Sequence, residues 1–146
     1  QSRALTVWIA LDDVDPGNAP VTFIEGSHLL GRLQWQRTTE SCHLLSQQIP
    51  DVDLLGRPVA AQLRAGEASV HSDLTVHSSS GNSSARRRAG LALRFVATDA
   101  WCLGPMLNGY SMNNGCLLPK GADPRGHWRA VRRRKRRAAE PSQTIV

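Results

Sequence analysis

Two stretches of sequence decide the expected fold: residues 68–78 read ASVHSDLTVHS, and residues 87–97 read RRAGLALRFVA. In the first stretch the odd positions are polar and most even positions are apolar. In the second, Leu91, Leu93 and Phe95 alternate with arginine, glycine or alanine. A period of two places alternate side chains on opposite faces of a strand. Each stretch is therefore predicted to form a β-strand with one apolar face.

The rest of the chain continues this strand-rich pattern. Residues 5–11 alternate in the same way, and residues 21–24 and 58–63 are two shorter strand candidates. Residues 12–20 read DDVDPGNAP, which concentrates the residue types that form turns. No long amphipathic helix pattern interrupts these segments. We therefore predict a mainly β fold, a sandwich or an open barrel.

Composition indicates one globular domain with a basic tail. The 146 residues include 40% hydrophobic and 21% charged residues, close to globular averages. Residues 132–137 read RRRKRR and carry as many positive charges as the whole net charge of +6. We expect residues 1–128 to form the domain and residues 129–146 to be a disordered basic tail. The tail raises nucleic-acid binding as an alternative function, although the body of the chain is neutral.

The cysteines and the apolar segments exclude two further classes. Cys42, Cys102 and Cys116 are odd in number and widely spaced, so neither a disulfide framework nor a cysteine zinc site is expected. No apolar run approaches the roughly 18 residues of a transmembrane helix. The expected location is cytoplasmic, without a membrane partner.

The polar face of residues 68–78 carries two imidazoles and a carboxylate, groups that bind metals. In a continuous strand, His71 and His77 would lie roughly 20 Å apart at about 3.3 Å per residue, too far to share one ion. We expect at most one end of the strand to bind a metal. The alternative is a polar face that points to water.

The less apolar face of the second stretch carries Arg88 and Arg94 among small residues. If the two strands are neighbours, His77 and these arginines border one cavity. A guanidinium binds a carboxylate through two parallel hydrogen bonds, so the cavity suits a metal-bound anion. Arg86 and Arg87 are interpreted as a solvated loop exit.

Three segments in order then resemble the phytanoyl-CoA dioxygenase family: LTVWIALDD at 5–13, NAPVTFIEGSH at 18–28 and HSSSGNSSARRRAGLALR at 77–94. The resemblance extends over roughly residues 3–128. It implies a double-stranded β-helix, the jelly-roll or cupin-like fold, here incomplete at the N-terminus. It also implies a non-haem Fe(II)- and 2-oxoglutarate-dependent dioxygenase, which uses O₂ to hydroxylate a small organic or acyl substrate.

The resemblance assigns roles by position. His77 matches the distal iron-binding histidine, and Arg88 matches the arginine that binds the distal carboxylate of 2-oxoglutarate. Asn82 and Ser84 match polar positions of the intervening loop. Four further residues are candidate pocket walls farther from the iron: His71, Asp73, Thr75 and Arg94.

Departures from the family pattern shape the remaining expectations. Ser78, Ala19 and Glu25 stand where the family commonly has Gly, Gly and Pro, and none of these positions binds the metal. The family supplies its first histidine and its aspartate from an HxD motif upstream of the strand at 5–11, and this chain begins after that point. We therefore expect a C-terminal fragment that is inactive in isolation. A non-catalytic β-scaffold and a halogenating variant stay open as alternatives.

Overall fold

The computed structural model describes residues 3–38, 47–100, 117–118, 121–126 and 128–130. The predictions for the three cysteines and for the arginine-rich segment 132–137 lie outside these residues. The chain divides into two compact units, residues 1–97 and residues 98–146. Within the described ranges, no helix is long and apolar enough to cross a membrane.

Short strands dominate the described residues. They are β1 (Ala4–Ala10), β2 (Thr22–Ile24), β3 (Gln36–Arg37), β4 (Gln47–Gln48), β5 (Pro58–Ala60), β6 (Ala68–Ser72), β7 (His77–Ser78), β8 (Gly90–Val96), β9 (Leu117–Leu118) and β10 (Arg129–Ala130). Single 3-10 turns occupy Pro16–Asn18, Ser27–Leu30 and Val52–Leu54. β3 and β4 form a small antiparallel pair.

The first sheet has the order β6-β1-β8 and is antiparallel throughout. The alternation read from the sequence is confirmed in β1 and β8. The apolar residues of β8 pair directly with those of β1 and share one face: Leu5 with Phe95, Val7 with Leu93 and Ile9 with Leu91. That face is open, since Leu91 is 47% exposed and Phe95 is 44% exposed.

The other face of this sheet is more polar. Thr6 of β1 pairs with His71 on one side and with Arg94 on the other, so these three side chains share a row. Trp8 lies next along β1, and its indole occupies the space above Gly90. A Cβ at residue 90 would lie 2.0 Å from the indole Cζ2, so only glycine fits there.

The second sheet has the order β5-β2-β7. Its central residue Phe23 pairs with Val59 and with His77. Phe23 also lies 4.8 Å, between ring centroids, from His71 of the first sheet. The two sheets therefore face each other across this aromatic contact. The chain passes from β1 in the first sheet to β2 in the second, and from β5 to β8 it alternates between the two sheets, as expected of a double-stranded β-helix.

The predicted continuous strand over residues 68–78 is wrong. β6 ends at Ser72, and β7 begins at His77 in the opposite sheet. Between them the Thr75 N–H donates to the Ser72 carbonyl at 3.0 Å, and the Leu74 N–H donates to the Ser72 hydroxyl at 3.1 Å. These hydrogen bonds close a turn that reverses the chain.

The turn after β1 forms the most buried part of the first unit. Asn18 is 1% exposed, and its side chain accepts from the Asp15 N–H at 2.9 Å and donates to the Asp13 carbonyl at 2.8 Å. Ala19 adopts a left-handed backbone with φ of 62°. This conformation favours glycine, the residue that the family commonly has at this position.

The second unit contains a parallel pair formed by β9 and β10. The Trp128 indole Nε1–H donates to the Thr98 carbonyl at 2.7 Å, and the Trp128 backbone N–H donates to an Asp123 carboxylate oxygen at 2.6 Å. β10 occupies the first two residues of the segment predicted to be a tail.

Candidate active site

His77 opens β7 with its imidazole oriented by the backbone. Its Nδ1 lies 2.8 Å from the Thr75 carbonyl oxygen. A carbonyl only accepts, so Nδ1 carries the proton, and in the neutral imidazole the lone pair is then on Nε2. This is the tautomer of a metal-binding histidine whose second nitrogen is held by a carbonyl.

Ser27 fixes the residue that precedes His77. The Ser27 side chain is fully buried, and its hydroxyl accepts from the Val76 N–H at 2.9 Å and donates to the Ile24 carbonyl at 2.7 Å. The Ile24 N–H in turn donates to the Val76 carbonyl at 2.9 Å. Val76 is thereby held on both sides of its backbone. In the sequence, the Gly-Ser-His segment was noted only as part of a motif that resembles the family, so this role of Ser27 was missed.

His71 lies beside His77, with ring centroids 4.8 Å apart. The predicted separation of roughly 20 Å is wrong because the turn after Ser72 folds β7 back towards β6. Burial lowers the pKa of His71, and the nearby charges of His77 and Arg94 lower it further. Its Nδ1 is buried and has no hydrogen-bond partner among the described residues.

The three consecutive arginines before β8 have different surroundings. Arg86 makes two hydrogen bonds of 2.7 Å to Asp15, and Arg87 makes two, of 2.9 and 2.7 Å, to Asp12. Both guanidinium groups are solvated, as predicted, but they also hold the loop to the turn after β1. The Arg86 interaction lowers the pKa of Asp15 to about 2. Arg87 likewise lowers the pKa of Asp12.

Arg88 is the half-buried member of the three. Its Nη2 donates to the Ser79 hydroxyl at 3.3 Å, and its Nε is buried without a partner. Among the described residues, no carboxylate pairs with it. Arg88 therefore lies close to the end of β7, with capacity to bind an anion.

The loop between His77 and Arg88 is held by its own polar side chains. The Asn82 amide donates to the Arg86 carbonyl at 2.7 Å, and its oxygen accepts from the Ser84 N–H at 3.0 Å and the Ser84 hydroxyl at 2.7 Å. The two family-matching residues thus shape the segment that carries Arg88.

A cleft of about 590 Å³ contains His77 and three of the four predicted wall residues, Asp73, Thr75 and Arg94. The fourth, His71, borders a separate cavity of about 540 Å³ beside Phe23. Asp73 and Thr75 lie in the turn after β6 rather than along one strand face. The chain reversal after Ser72 therefore places Asp73 and Thr75 in the same cleft as His77, whereas His71 borders the other cavity.

The metal donors are incomplete within the described ranges. No group of three or more His, Cys, Asp or Glu side chains there is arranged to hold a metal ion. His71 and Asp73 thus do not complete a three-donor site with His77, even though His71 lies much closer to His77 than the sequence predicted. His77, with Nε2 available, fits the role of a single ligand.

Comparison with known sequences shows which protein family this chain belongs to. The sequence model of the family described as phytanoyl-CoA dioxygenase (PhyH) matches residues 1–90, more than half of the chain. The chain belongs to the phytanoyl-CoA dioxygenase family. The segment that carries β1, the Gly-Ser-His turn, His77 and Arg88 lies inside the matched region.

Individual relatives of this phytanoyl-CoA dioxygenase family chain are longer. A probable alpha-ketoglutarate-dependent hypophosphite dioxygenase of Stutzerimonas stutzeri is 32% identical over 105 residues, covering 68% of this chain and 36% of the relative. The chain therefore spans about a third of that protein.

Two solved structures are similar to part of this chain. The apo form of the non-haem monooxygenase ThoJ matches with a TM-score of 0.51 and 26% identity, covering 66% of this chain and 34% of that one. The alpha-ketoglutarate-dependent epimerase SnoN from nogalamycin biosynthesis matches with a TM-score of 0.47 and 33% identity, covering 63% of this chain and 31% of that one.

Proposed function

We propose that this chain supplies His77 as an iron ligand and Arg88 as a 2-oxoglutarate-binding residue in an Fe(II)- and 2-oxoglutarate-dependent dioxygenase that hydroxylates a small organic or acyl substrate. The observation that carries the proposal is the hydrogen bond from His77 Nδ1 to the Thr75 carbonyl, 2.8 Å long. It leaves Nε2 as a ligand in a chain that belongs to an oxygenase family. The other two ligands would come from an HxD motif elsewhere in the polypeptide.

In this proposal, residues of the chain orient the metal-binding imidazole and bind the co-substrate. Ser27 holds the backbone of Val76, the residue before His77, and the Thr75 carbonyl orients the His77 ring, so the imidazole needs little reordering to bind a metal. Arg88 offers a guanidinium, without a carboxylate partner in the described ranges, for the far carboxylate of 2-oxoglutarate. When bound, the iron and co-substrate supply the oxidising chemistry, with 2-oxoglutarate and O₂ converted to succinate, CO₂ and the oxygen atom that enters the substrate.

The test uses the full-length polypeptide that contains this chain. His77→Ala is expected to abolish succinate formation and to lower the bound Fe(II) measured by metal analysis. Arg88→Ala removes a charge-assisted contact worth about 2–5 kcal/mol, so the KM for 2-oxoglutarate is expected to rise by roughly 30-fold or more.

Matched controls are available in the same unit. His28 is an exposed histidine in the 3-10 turn Ser27–Leu30, and Arg64 is an exposed arginine in a turn. His28→Ala and Arg64→Ala should leave iron content and the KM for 2-oxoglutarate within about twofold of the parent. Full iron content in His77→Ala, or an unchanged KM in Arg88→Ala, contradicts the assignments. If the full-length parent protein binds neither Fe(II) nor 2-oxoglutarate, the result favours the non-catalytic scaffold.

A further inference from the structure

Arg94 has a position that the proposed catalytic roles do not explain. It lies in β8 on the polar face of the first sheet, directly across from Thr6, with His71 on the far side of Thr6. The row thus presents a guanidinium, a hydroxyl and an imidazole on one level of the sheet. All three residue types form hydrogen bonds to oxyanions.

Three other arginines of this unit have the carboxylate partner that Arg94 lacks among the described residues. Arg57 pairs with Glu25 at 2.9 Å, and Arg86 and Arg87 each pair with an aspartate at 2.7 Å. Within the part of the chain that the structure describes, Arg94 has neither a hydrogen bond nor a carboxylate partner. Its guanidinium is therefore available to a ligand.

The cleft beside His77 is where that ligand would lie. Among the described residues, its lining includes the cations Arg32 and Arg94 and one carboxylate, Asp73, so the charged side chains described there sum to a positive charge. Thr75 and Ser78 add hydroxyl groups. A volume of about 590 Å³ lies within the usual range for small-molecule sites.

We propose that Arg94 binds an oxyanion group of the substrate, a carboxylate or a phosphorus oxyanion, in the cleft that it shares with His77. This inference rests on the proposed dioxygenase function, because it names the chemical class of the substrate that the same site would accept. The anchor fixes one charged end of the molecule, so that a neutral part can lie near His77.

The co-substrate is a second source of the same chemistry, because 2-oxoglutarate also carries carboxylates. The geometry favours separate duties for the two arginines. Arg94 lies four residues along β8 from Gly90, about 13 Å in an extended strand, and Arg88 lies on the far side of Gly90. One carboxylate therefore does not occupy both guanidinium groups.

Calorimetric titration of the full-length protein, loaded anaerobically with Fe(II) and 2-oxoglutarate, tests the assignment. The probes are inorganic phosphate and acetate, with acetamide as a neutral analogue of acetate. We expect the two anions to bind and acetamide to bind at least tenfold more weakly. Arg94→Gln should weaken phosphate binding by about tenfold or more, the usual loss for a hydrogen bond to a charged group.

Three comparisons separate the possibilities. Arg94→Gln should leave the Kd for 2-oxoglutarate within about twofold, whereas Arg88→Gln should raise that Kd and leave phosphate binding unchanged. Arg94→Lys, which keeps the charge but loses the planar fork, should fall between parent and Arg94→Gln. Arg64→Gln is the matched control, because it removes an exposed arginine outside the cleft.

Several results would overturn the proposal. The first is a parent protein that binds neither phosphate nor acetate. The second is anion binding that is unchanged in Arg94→Gln. The third is a loss of 2-oxoglutarate binding in Arg94→Gln with anion binding intact. Circular dichroism shows whether each variant is folded. If Arg94→Gln is unfolded, the comparison of Arg94→Lys with the parent protein tests the proposal instead. If the parent fails to bind 2-oxoglutarate but binds phosphate through Arg94, the proposed function fails while the anion site stands.

Discussion

Replacing Gly90 with alanine tests the packing between β1 and β8. A Cβ at this residue would lie 2.0 Å from Cζ2 and 2.3 Å from Cε2 of Trp8. Carbon atoms in ordinary contact are about 3.5–4.0 Å apart, so the indole or the strand has to move by roughly 1.5 Å. Trp8 lies in the central strand of its sheet and is paired on both sides. The movement therefore disturbs two strand interfaces.

The expected cost follows from the size of this overlap. Forcing extra atoms into a packed position costs typically about 1–3 kcal/mol. Because two ring atoms are displaced between paired strands, we expect about 2–3 kcal/mol. This corresponds to a shift of roughly 30- to 150-fold in the folding equilibrium.

Urea unfolding of the full-length protein, followed by circular dichroism, measures this free energy of unfolding. Gly81→Ala is the matched control, since a Cβ at Gly81 meets nothing within 4 Å. In a Trp8→Leu background the ring is absent, so Gly90→Ala should cost less than about 1 kcal/mol. A cost equal to that of Gly81→Ala, or one that persists without the ring, would refute the reasoning.

The remaining predictions concern single hydrogen-bonded groups. Ser27→Ala leaves the Val76 N–H without its hydroxyl acceptor, so we expect a loss of about 1–3 kcal/mol in urea unfolding, against little change for the exposed control Ser83→Ala. Equal stabilities of the two variants would show that the Ser27 hydroxyl does not hold this backbone. Arg86→Ala is expected to raise the pKa of Asp15 from about 2 towards its ordinary value of 3.8, as measured by carboxyl-carbon NMR titration. Because the pKa of Asp15 is depressed in the folded state, the pair stabilises the fold above pH 3.8, and this contribution is lost as the pH falls towards 2. Arg86→Ala should therefore flatten the pH dependence of stability in that window, whereas Arg57→Ala should not. An unchanged Asp15 titration in Arg86→Ala would disprove the assignment.

Much of the strand content could be read from the sequence, because side-chain alternation is a local property. The alternation of Leu5, Val7 and Ile9 matches β1, and that of Leu91, Leu93 and Phe95 matches β8. The ordered motifs also pointed to the family, which the match over residues 1–90 confirms. In each case neighbouring residues carry the information, so no long-range contact had to be known.

The chain reversal between β6 and β7 was misread for a specific reason. Polar residues at odd positions continue through Asp73 and Thr75, so the turn has the same period as the strands on either side. Ser72 and Asp73 are turn-forming residue types, and they were the available signal. The Ser72 hydroxyl that accepts from the Leu74 N–H shows how a local side-chain bond competes with strand pairing.

The sequence by itself determined the strand period, the identity of His77 and Arg88 as candidates, and their spacing. Only the tertiary structure decided that the His71 ring lies beside that of His77. It likewise decided that Arg86 and Arg87 bind aspartates, whereas Arg88 has no carboxylate partner among the described residues. It also decided that Arg94 shares a cleft with His77. These relations depend on which strands pair and where the chain turns between two sheets. That choice is made by contacts between residues far apart in sequence, and local periodicity does not record them.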